Sequence, residues 1–128
     1  MILVIGGAGY IGSRIVKELI QQNQRVVVLD GQRENVNWKV VFEKGNCENP
    51  QDLDWVFSRY SIDMVIHAGS GNVEGRSYKG EAGYIPVLLQ KMMEYSVDNL
   101  IFYTKAGLHR ASGAEGTLDL LKQVHKGR

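Results

Sequence analysis

The chain has 128 residues, of which 44% are hydrophobic and 23% charged, and its formal net charge is +1. This length and composition predict one globular domain over residues 1–128. The balanced charge argues against a nucleic-acid partner, and no apolar run approaches the ~18 residues that a membrane span requires. Cys47 is the single cysteine and can form no internal disulfide, and an apolar segment starts directly at Met1. We therefore expect a cytoplasmic protein without a leader.

An apolar strand over residues 2–5 leads into a glycine-rich turn and then into an amphipathic segment. The glycines of the turn are Gly6, Gly7, Gly9 and Gly12. They match G-x-G-x-x-G when counted from Gly7 and G-x-x-G-x-x-G when counted from Gly6. Glycines let the backbone approach a pyrophosphate, and the first N–H groups of a helix that begins near Gly9 or Tyr10 can bind an anion. The pattern predicts a dinucleotide-binding turn, and a tight turn without a ligand is the alternative.

An acidic residue follows this turn at the spacing expected for a ribose ligand. A second apolar strand, residues 26–29, ends at Asp30, which lies 18 residues after Gly12. Such an acid accepts hydrogen bonds from the ribose hydroxyls of NAD and repels the 2′-phosphate of NADP. Arg33 lies three residues further on and could instead accommodate that phosphate. We expect Asp30 rather than Arg33 to determine which cofactor binds, so that NAD is preferred over NADP.

The rest of the chain alternates strands with helices. We predict strands at Lys39–Glu43, Asp63–His67 and Asn99–Tyr103, and helices from Asn49 and Pro50 to Tyr60, from Tyr84 or Pro86 to Ser96, and from Ala114 to His125. This alternation indicates an α/β fold, a doubly wound parallel sheet of about five strands in the order 3-2-1-4-5 with helices on both faces. A ligand would then lie at the carboxyl ends of the strands, where the strand order reverses.

Residues 6–13 read GGAGYIGS and residues 26–30 read VVVLD. These two runs resemble the N-terminus of the extended short-chain dehydrogenase/reductase family, most closely UDP-glucose 4-epimerases and related nucleotide-sugar enzymes. The resemblance implies a Rossmann-like domain that binds NAD, followed by a substrate half for which 128 residues leave no room. The cofactor-binding residues that it implies are Gly6, Gly9, Tyr10, Ile11, Gly12, Asp30, Asn46, Cys47, Ala68 and Gly69. No metal site is predicted.

Several positions have more than one interpretation. The family places the acid of a Gly-Asp pair against the adenine, where this chain has Gly45 and Asn46. The Asn46 amide can still donate and accept at an adenine edge, although a turn-capping role is equally plausible. We expect Cys47 to be a small residue near a strand end rather than a reactive thiol, and His67 to be a half-buried strand residue rather than a catalyst.

Enzymes of the family use a Tyr-x-x-x-Lys pair for catalysis. This chain lacks that pair, because none of its tyrosines is followed four residues later by lysine. Thr104 is a weak candidate for the hydroxyl that orients the substrate, and Lys105 or Tyr103 could face the nicotinamide ribose. A strand end with a solvated lysine is the alternative. Residues 108–113 are expected to form a solvated loop. We therefore predict an NAD-binding domain with little or no turnover of its own.

Two other functions stay open from the sequence. One is a small oxidoreductase or epimerase-like enzyme that uses Lys105 or His109 as its acid/base, and the other is a structural fold core that binds no ligand appreciably. The run GTLDLL at residues 116–121 resembles a family segment that normally precedes the fifth strand, which suggests a rebuilt, permuted or engineered core. A homodimer through an exposed edge strand, the third or the fifth, is plausible.

Overall fold

The computed structural model describes residues 1–33, 36, 39–68, 87–104 and 107–112, with the backbone alone for residues 10, 102–104 and 107–112. The strands are β1 (Ile2–Ile5), β2 (Val26–Asp30), β3 (Val41–Lys44), β4 (Met64–His67), β5 (Asn99–Thr104) and β6 (Gly107–Ser112). The helices are α1 (Tyr10–Gln21), α2 (Pro50–Arg59) and a third helical segment, α3, at residues 87–94.

The strands form one sheet in the order β3-β2-β1-β4-β5-β6. The first five pair in parallel, which confirms the predicted order 3-2-1-4-5. Because β1 pairs with β2 on one side and β4 on the other, the strand order reverses between β1 and β4. The carboxyl ends of these strands all lie at one edge of the sheet.

The sixth strand, β6, corrects two expectations. Residues 107–112 pair antiparallel with β5 over its whole length, from Asn99 opposite Ser112 to Thr104 opposite Gly107, so they do not form a solvated loop. A strand at a sheet edge exposes unpaired N–H and C=O groups, and β6 satisfies those of β5. The fifth strand is therefore not an edge; among the described strands, β3 and β6 are.

Two apolar layers cover the two faces of the sheet. Alternate residues of β1 point to opposite sides, so Leu3 belongs to one buried cluster and Val4 to the other. α2 and α3 supply Leu53 and Leu88 to the first cluster, and α1 supplies Val16 to the second. Helices on both faces make the sheet doubly wound, as predicted.

Several element boundaries differ from the prediction by one or two residues. β3 begins at Val41 rather than Lys39 and extends to Lys44, and β5 extends to Thr104. α2 has the predicted start, because Asn49 Oδ1 accepts a hydrogen bond from the Gln51 N–H at 2.9 Å and Pro50 occupies the first helical position. The first part of the helix predicted from Tyr84 or Pro86, and the whole helix predicted at Ala114–His125, lie outside the described residues.

Candidate functional site

The glycine-rich turn follows β1 and folds back sharply on itself. Gly6 has a φ of 78°, in the left-handed region that favours glycine. Its N–H donates to the carbonyl of Leu29 at 2.9 Å, and the Gly9 N–H donates to the Gly6 carbonyl at 3.1 Å. These bonds bring the start of α1 directly over the ends of β1 and β2.

Two glycines of the turn are required by packing alone. A Cβ on Gly12 would lie 2.0 Å from the carbonyl oxygen of Gly6, and a Cβ on Gly7 would lie 2.7 Å from a methyl carbon of Val28. Real Cβ atoms do not approach other atoms so closely. Gly7 therefore lets the turn lie against β2, and Gly12 lets α1 lie against the turn, whether or not a ligand binds.

The N-terminus of α1 is open to an anion. Gly9 is the N-cap residue, with extended backbone at φ −75° and ψ 176°, and it makes no side-chain capping bond. The first turn, from Tyr10 to Ser13, holds no acidic residue, and the Ser13 N–H is already bonded to the Gly9 carbonyl at 2.9 Å. The N–H groups of Tyr10, Ile11 and Gly12 precede that bond, so they have no partner within the helix and can receive a phosphate.

Asp30 joins β2 to the glycine-rich turn. Its Oδ2 accepts a hydrogen bond from the Ala8 N–H at 3.0 Å, and its Oδ1 accepts one from the Gln32 N–H at 3.2 Å. A carboxylate has about four acceptor positions, so each oxygen keeps capacity for a further donor such as a ribose hydroxyl. The sequence spacing predicted the position of Asp30 but missed its bond to Ala8.

The loop after β3 lies beside Asp30, because the Gly45 N–H donates to the Asp30 carbonyl oxygen at 3.1 Å. Asn46 Oδ1 accepts from the Glu48 N–H at 2.8 Å, and the Asn46 N–H donates to Asp52 Oδ2 at 2.9 Å. Asn46 thus caps a turn, one of its two predicted roles, while its exposed side chain remains at the site edge.

Cys47 follows Asn46 and packs, partly buried, against the core cluster that contains Leu29 and Leu53. Burial raises the pKa of its thiol to about 12, with smaller contributions in the same direction from Glu48 and Asp30. A thiol with this pKa is protonated at neutral pH, and the thiolate is the nucleophilic form. Cys47 lies near the end of β3, as predicted, and its thiol is not activated as a nucleophile.

His67 ends β4 and is completely buried, so the expectation of a half-buried residue was wrong. The reason is its central place in the sheet, where it is paired with Ile5 of β1 on one side and Phe102 of β5 on the other. Burial lowers its pKa to about 4, so the imidazole is neutral at physiological pH. These properties belong to a core residue rather than to an acid/base catalyst.

Ala68, just after His67, lies at the point where the strand order reverses. Its N–H donates to the Ile5 carbonyl at 2.8 Å, and its side chain is buried. Gly69 and Lys105 lie outside the described residues. The backbone of Thr104 ends β5 opposite Gly107, and His109 lies within β6. Within the part of the chain that the structure describes, no group of three His, Cys, Asp or Glu residues could hold a metal ion, and no helix is long and apolar enough to cross a membrane.

The segments that leave β1 to β4 therefore all begin at the carboxyl edge of the sheet. They bring together the glycine-rich turn, Asp30, Asn46 and Ala68, the residues that the sequence predicted for one site. Comparison with known proteins agrees with this arrangement, since residues 2–94 match the model of the NAD dependent epimerase/dehydratase family. The chain belongs to this family.

Individual relatives of the chain are nucleotide-sugar epimerases. The UDP-glucose 4-epimerase of Halalkalibacterium halodurans is 36% identical over 118 residues, which cover 84% of this chain and 35% of that protein. A crystal structure of UDP-glucose 4-epimerase from Thermotoga maritima with UDP-glucose has a TM-score of 0.68 at 32% identity and covers 79% of this chain and 36% of that one. A structure from Stenotrophomonas maltophila with bound NAD and formylated UDP-arabinopyranose has a TM-score of 0.64 at 28% identity, over 79% of this chain and 35% of that one.

The similarity covers the NAD-binding N-terminal region of such enzymes. The chain spans only about a third of the length of the curated relatives that it matches. The resemblance seen in the sequence to epimerase-like members of the short-chain dehydrogenase/reductase family is confirmed.

Proposed function

We propose that residues 1–128 act as one dinucleotide-binding domain that binds NAD at the carboxyl edge of the sheet and has little or no turnover of its own. The observation that carries this proposal is the 3.0 Å hydrogen bond between the Ala8 N–H and the Asp30 carboxylate. It holds the anion-accepting turn and the ribose-binding acid, 22 residues apart in the chain, next to each other. A nucleoside diphosphate requires this pairing, because its pyrophosphate and its ribose are covalently joined.

The residues present fit each part of NAD. The uncapped N–H groups at the start of α1 would hold the pyrophosphate, and the free acceptor positions of Asp30 would hold the adenosine ribose. Ala68, a small residue at the strand-order reversal, would leave room for the nicotinamide half, and Gly69 stays a prediction. When bound, NAD would supply hydride transfer, and the chain's own residues would bind and orient it.

The absence of turnover is proposed from the chemistry that the 128 residues lack. They contain no tyrosine paired with a lysine four residues later, so no tyrosine is set up by that motif to exchange a proton with a substrate hydroxyl. Thr104 and Lys105 stay predictions as weak catalytic candidates. UDP-sugars, which the solved relatives bind, are the substrates that a complete enzyme built on this domain would take.

The proposal extends to the surroundings of the protein. The sequence named the third and the fifth strand as possible dimer edges, and because β6 pairs with β5, we propose β3 as the edge through which a homodimer would form; light scattering after gel filtration would measure it. A cytoplasmic location fits a single cysteine with a protonated, partly buried thiol.

The decisive experiment combines native mass spectrometry of the purified protein with titration calorimetry against NAD, NADP, ADP-ribose and FAD. Gly9→Val places a side chain at the N-cap, where the pyrophosphate would lie, while the extended backbone there is one that valine adopts readily. We expect affinity for NAD to fall at least ~100-fold, the loss caused by blocking a close backbone contact, with the circular dichroism spectrum retained.

Gly31→Ala is the matched control, because a Cβ there has no atom within 4 Å. It should bind NAD as the parent does. Equal NAD binding by parent and Gly9→Val would show that the glycine-rich turn is not the site. A parent that binds none of the four nucleotides would identify the chain as a structural fold core instead.

A further inference from the structure

We propose that β3 and Trp55 of α2 form a self-complementary docking surface for a second copy of this chain. In this dimer the two β3 strands pair antiparallel, with Phe42 opposite the partner's Phe42, and Val41 of each copy packs against the partner's Trp55. The inference goes beyond the homodimer named above, because it gives the register and the contacts that hold the two copies together. It does not depend on NAD binding.

β3 is an edge of the sheet, and among the described residues no strand lies on its outer side. The N–H of Gly45, just after β3, donates to the Asp30 carbonyl of β2 at 3.1 Å. Successive residues of a strand direct their backbone groups to alternate sides, so Glu43 also bonds toward β2, whereas Phe42 and Lys44 direct their N–H and C=O groups outward. An open edge of this kind can pair with a strand of another chain.

The geometry of a two-fold dimer restricts the register of this pairing. Only residues that direct their backbone groups outward can exchange hydrogen bonds across the axis, so Phe42 or Lys44 must lie opposite its own copy. Pairing at Lys44 would bring two positive charges together and leave most of β3 unpaired. Pairing at Phe42 uses the whole strand, places two aromatic rings opposite each other and puts no like charges face to face. The register centred on Phe42 is therefore favoured.

This register brings two exposed apolar side chains together. Val41 and Glu43 lie on the same face of the sheet, and Trp55 Nε1 donates to Glu43 Oε2 at 2.6 Å. With Phe42 at the axis, Val41 lies opposite the partner's Glu43 and therefore beside the partner's Trp55. Val41 is 38% and Trp55 53% exposed, so the pairing would remove apolar surface from water in both copies.

Trp55 is held in position before a second copy arrives. Besides its bond to Glu43, its ring lies 4.2 Å from the guanidinium carbon of Arg59. A side chain that is already fixed loses little conformational freedom on docking. Tryptophan and arginine are also the residues that most often dominate the binding energy of an interface. We therefore expect Trp55 to contribute most to the stability of the dimer.

Sedimentation equilibrium without any ligand tests the contacts. We expect the parent to form a concentration-dependent dimer, and Trp55→Ala should raise the dissociation constant at least about tenfold. Met93→Ala is the matched control, because Met93 is 59% exposed but lies on α3 rather than at the β3 edge, so the constant should not change. Circular dichroism should show that both variants fold.

Cysteine cross-linking tests the register separately. Phe42→Cys would place two Cα atoms about 5.5 Å apart across the axis, within the range of a disulfide, whereas Glu43→Cys would place them roughly 8 Å apart, which is too far. Mild oxidation should therefore give a covalent dimer from Phe42→Cys and little from Glu43→Cys. The parent, whose one cysteine is the partly buried Cys47, shows how much cross-linking occurs without either substitution.

A parent that stays monomeric at millimolar concentration, or a dimer that Trp55→Ala does not weaken, overturns the proposal. A covalent dimer that forms as readily from Glu43→Cys as from Phe42→Cys overturns the register. None of these results bears on NAD binding, which calorimetry measures independently. Failure of this inference and failure of the proposed function can therefore be told apart.

Discussion

The carboxylate of Asp30 should make the domain prefer NAD over NADP. Its two oxygens are fixed at the end of β2 by the backbone N–H groups of Ala8 and Gln32, so the charge cannot swing away from a ligand. NADP differs from NAD by a 2′-phosphate on the adenosine ribose, the group that Asp30 would contact. Binding NADP would therefore bring two negative charges together in a partly closed cleft.

The size of this effect follows from Coulomb's law. Two unit charges about 5 Å apart at an effective dielectric constant of about 20 repel by ~3 kcal/mol. Asp30 is only half-buried, so screening by solvent lowers this to roughly 1–3 kcal/mol. The corresponding preference for NAD is about ten- to a hundredfold in affinity.

Arg33 was the competing determinant in the sequence, and the structure places its side chain elsewhere. Its guanidinium carbon lies 5.4 Å from the ring centroid of Phe42 on β3, within range of a cation–π contact. We therefore expect Arg33→Ala to leave the preference for NAD nearly unchanged.

The assay is calorimetry of both cofactors with three proteins: the parent, Asp30→Ala and Asp63→Ala. Asp30→Ala also removes the two hydrogen bonds from backbone N–H groups, so we expect this variant to bind both cofactors more weakly. The informative quantity is the ratio of NAD affinity to NADP affinity, which should fall about tenfold relative to the parent. Asp63→Ala removes one charge from the opposite edge of the sheet, just before β4, and should leave the ratio unchanged. NADP binding equal to or tighter than NAD in the parent would refute the reasoning.

Three further predictions concern packing, pH and turnover. Gly12→Ala should lower the free energy of unfolding by at least ~2 kcal/mol in urea titrations, because its Cβ would meet the Gly6 carbonyl oxygen. Gly31→Ala, the control, should change the free energy of unfolding by less than ~1 kcal/mol. Similar values for the two variants would contradict the close packing of the turn. Lowering the pH from 6.5 to 4 should cost about 3 kcal/mol of stability at His67, because the unfolded imidazole takes up a proton near pH 6.5 and the buried one only near pH 4. His67→Phe should remove this part of the pH dependence, and an unchanged slope would show that another group causes it. Turnover with NAD or NADH and a panel of alcohols, ketones and UDP-sugars should stay at background, and an activity abolished by Lys105→Ala would instead indicate the small-enzyme alternative.

The elements that the sequence predicted well are those with strong local signals. α2 begins where Asn49 and Pro50 mark a helix start, and β2 is an apolar run that ends in a polar residue. These signals act within a few residues, so they need no knowledge of the rest of the fold. The parallel order of the first five strands followed from the alternation of strands and helices.

The features that the sequence missed depend on distant contacts. β6 has a weak apolar pattern, with His109 and Arg110 in its middle, and the two residues that connect it to β5 lack the Asn-Gly or Asp-Gly signature of a tight hairpin. The burial of His67 depends on having a strand on each side, and the Ala8–Asp30 bond depends on the register of β1 against β2. None of these can be inferred from residues near to them in the chain.

The glycines of the glycine-rich turn fall into two groups: those that the fold itself requires, and Gly9, which it does not require. Gly6, Gly7 and Gly12 are glycines because of a left-handed backbone or a close contact within the fold, so a domain that binds nothing would need them too. The extended backbone of Gly9 does not require glycine, and serine or aspartate would cap α1 better by a few tenths of a kcal/mol. A residue that leaves the helix N–H groups uncapped is suited to a site where a ligand accepts from them. The sequence evidence for nucleotide binding therefore rests on Gly9 and Asp30, and substitutions at these two positions test it most directly.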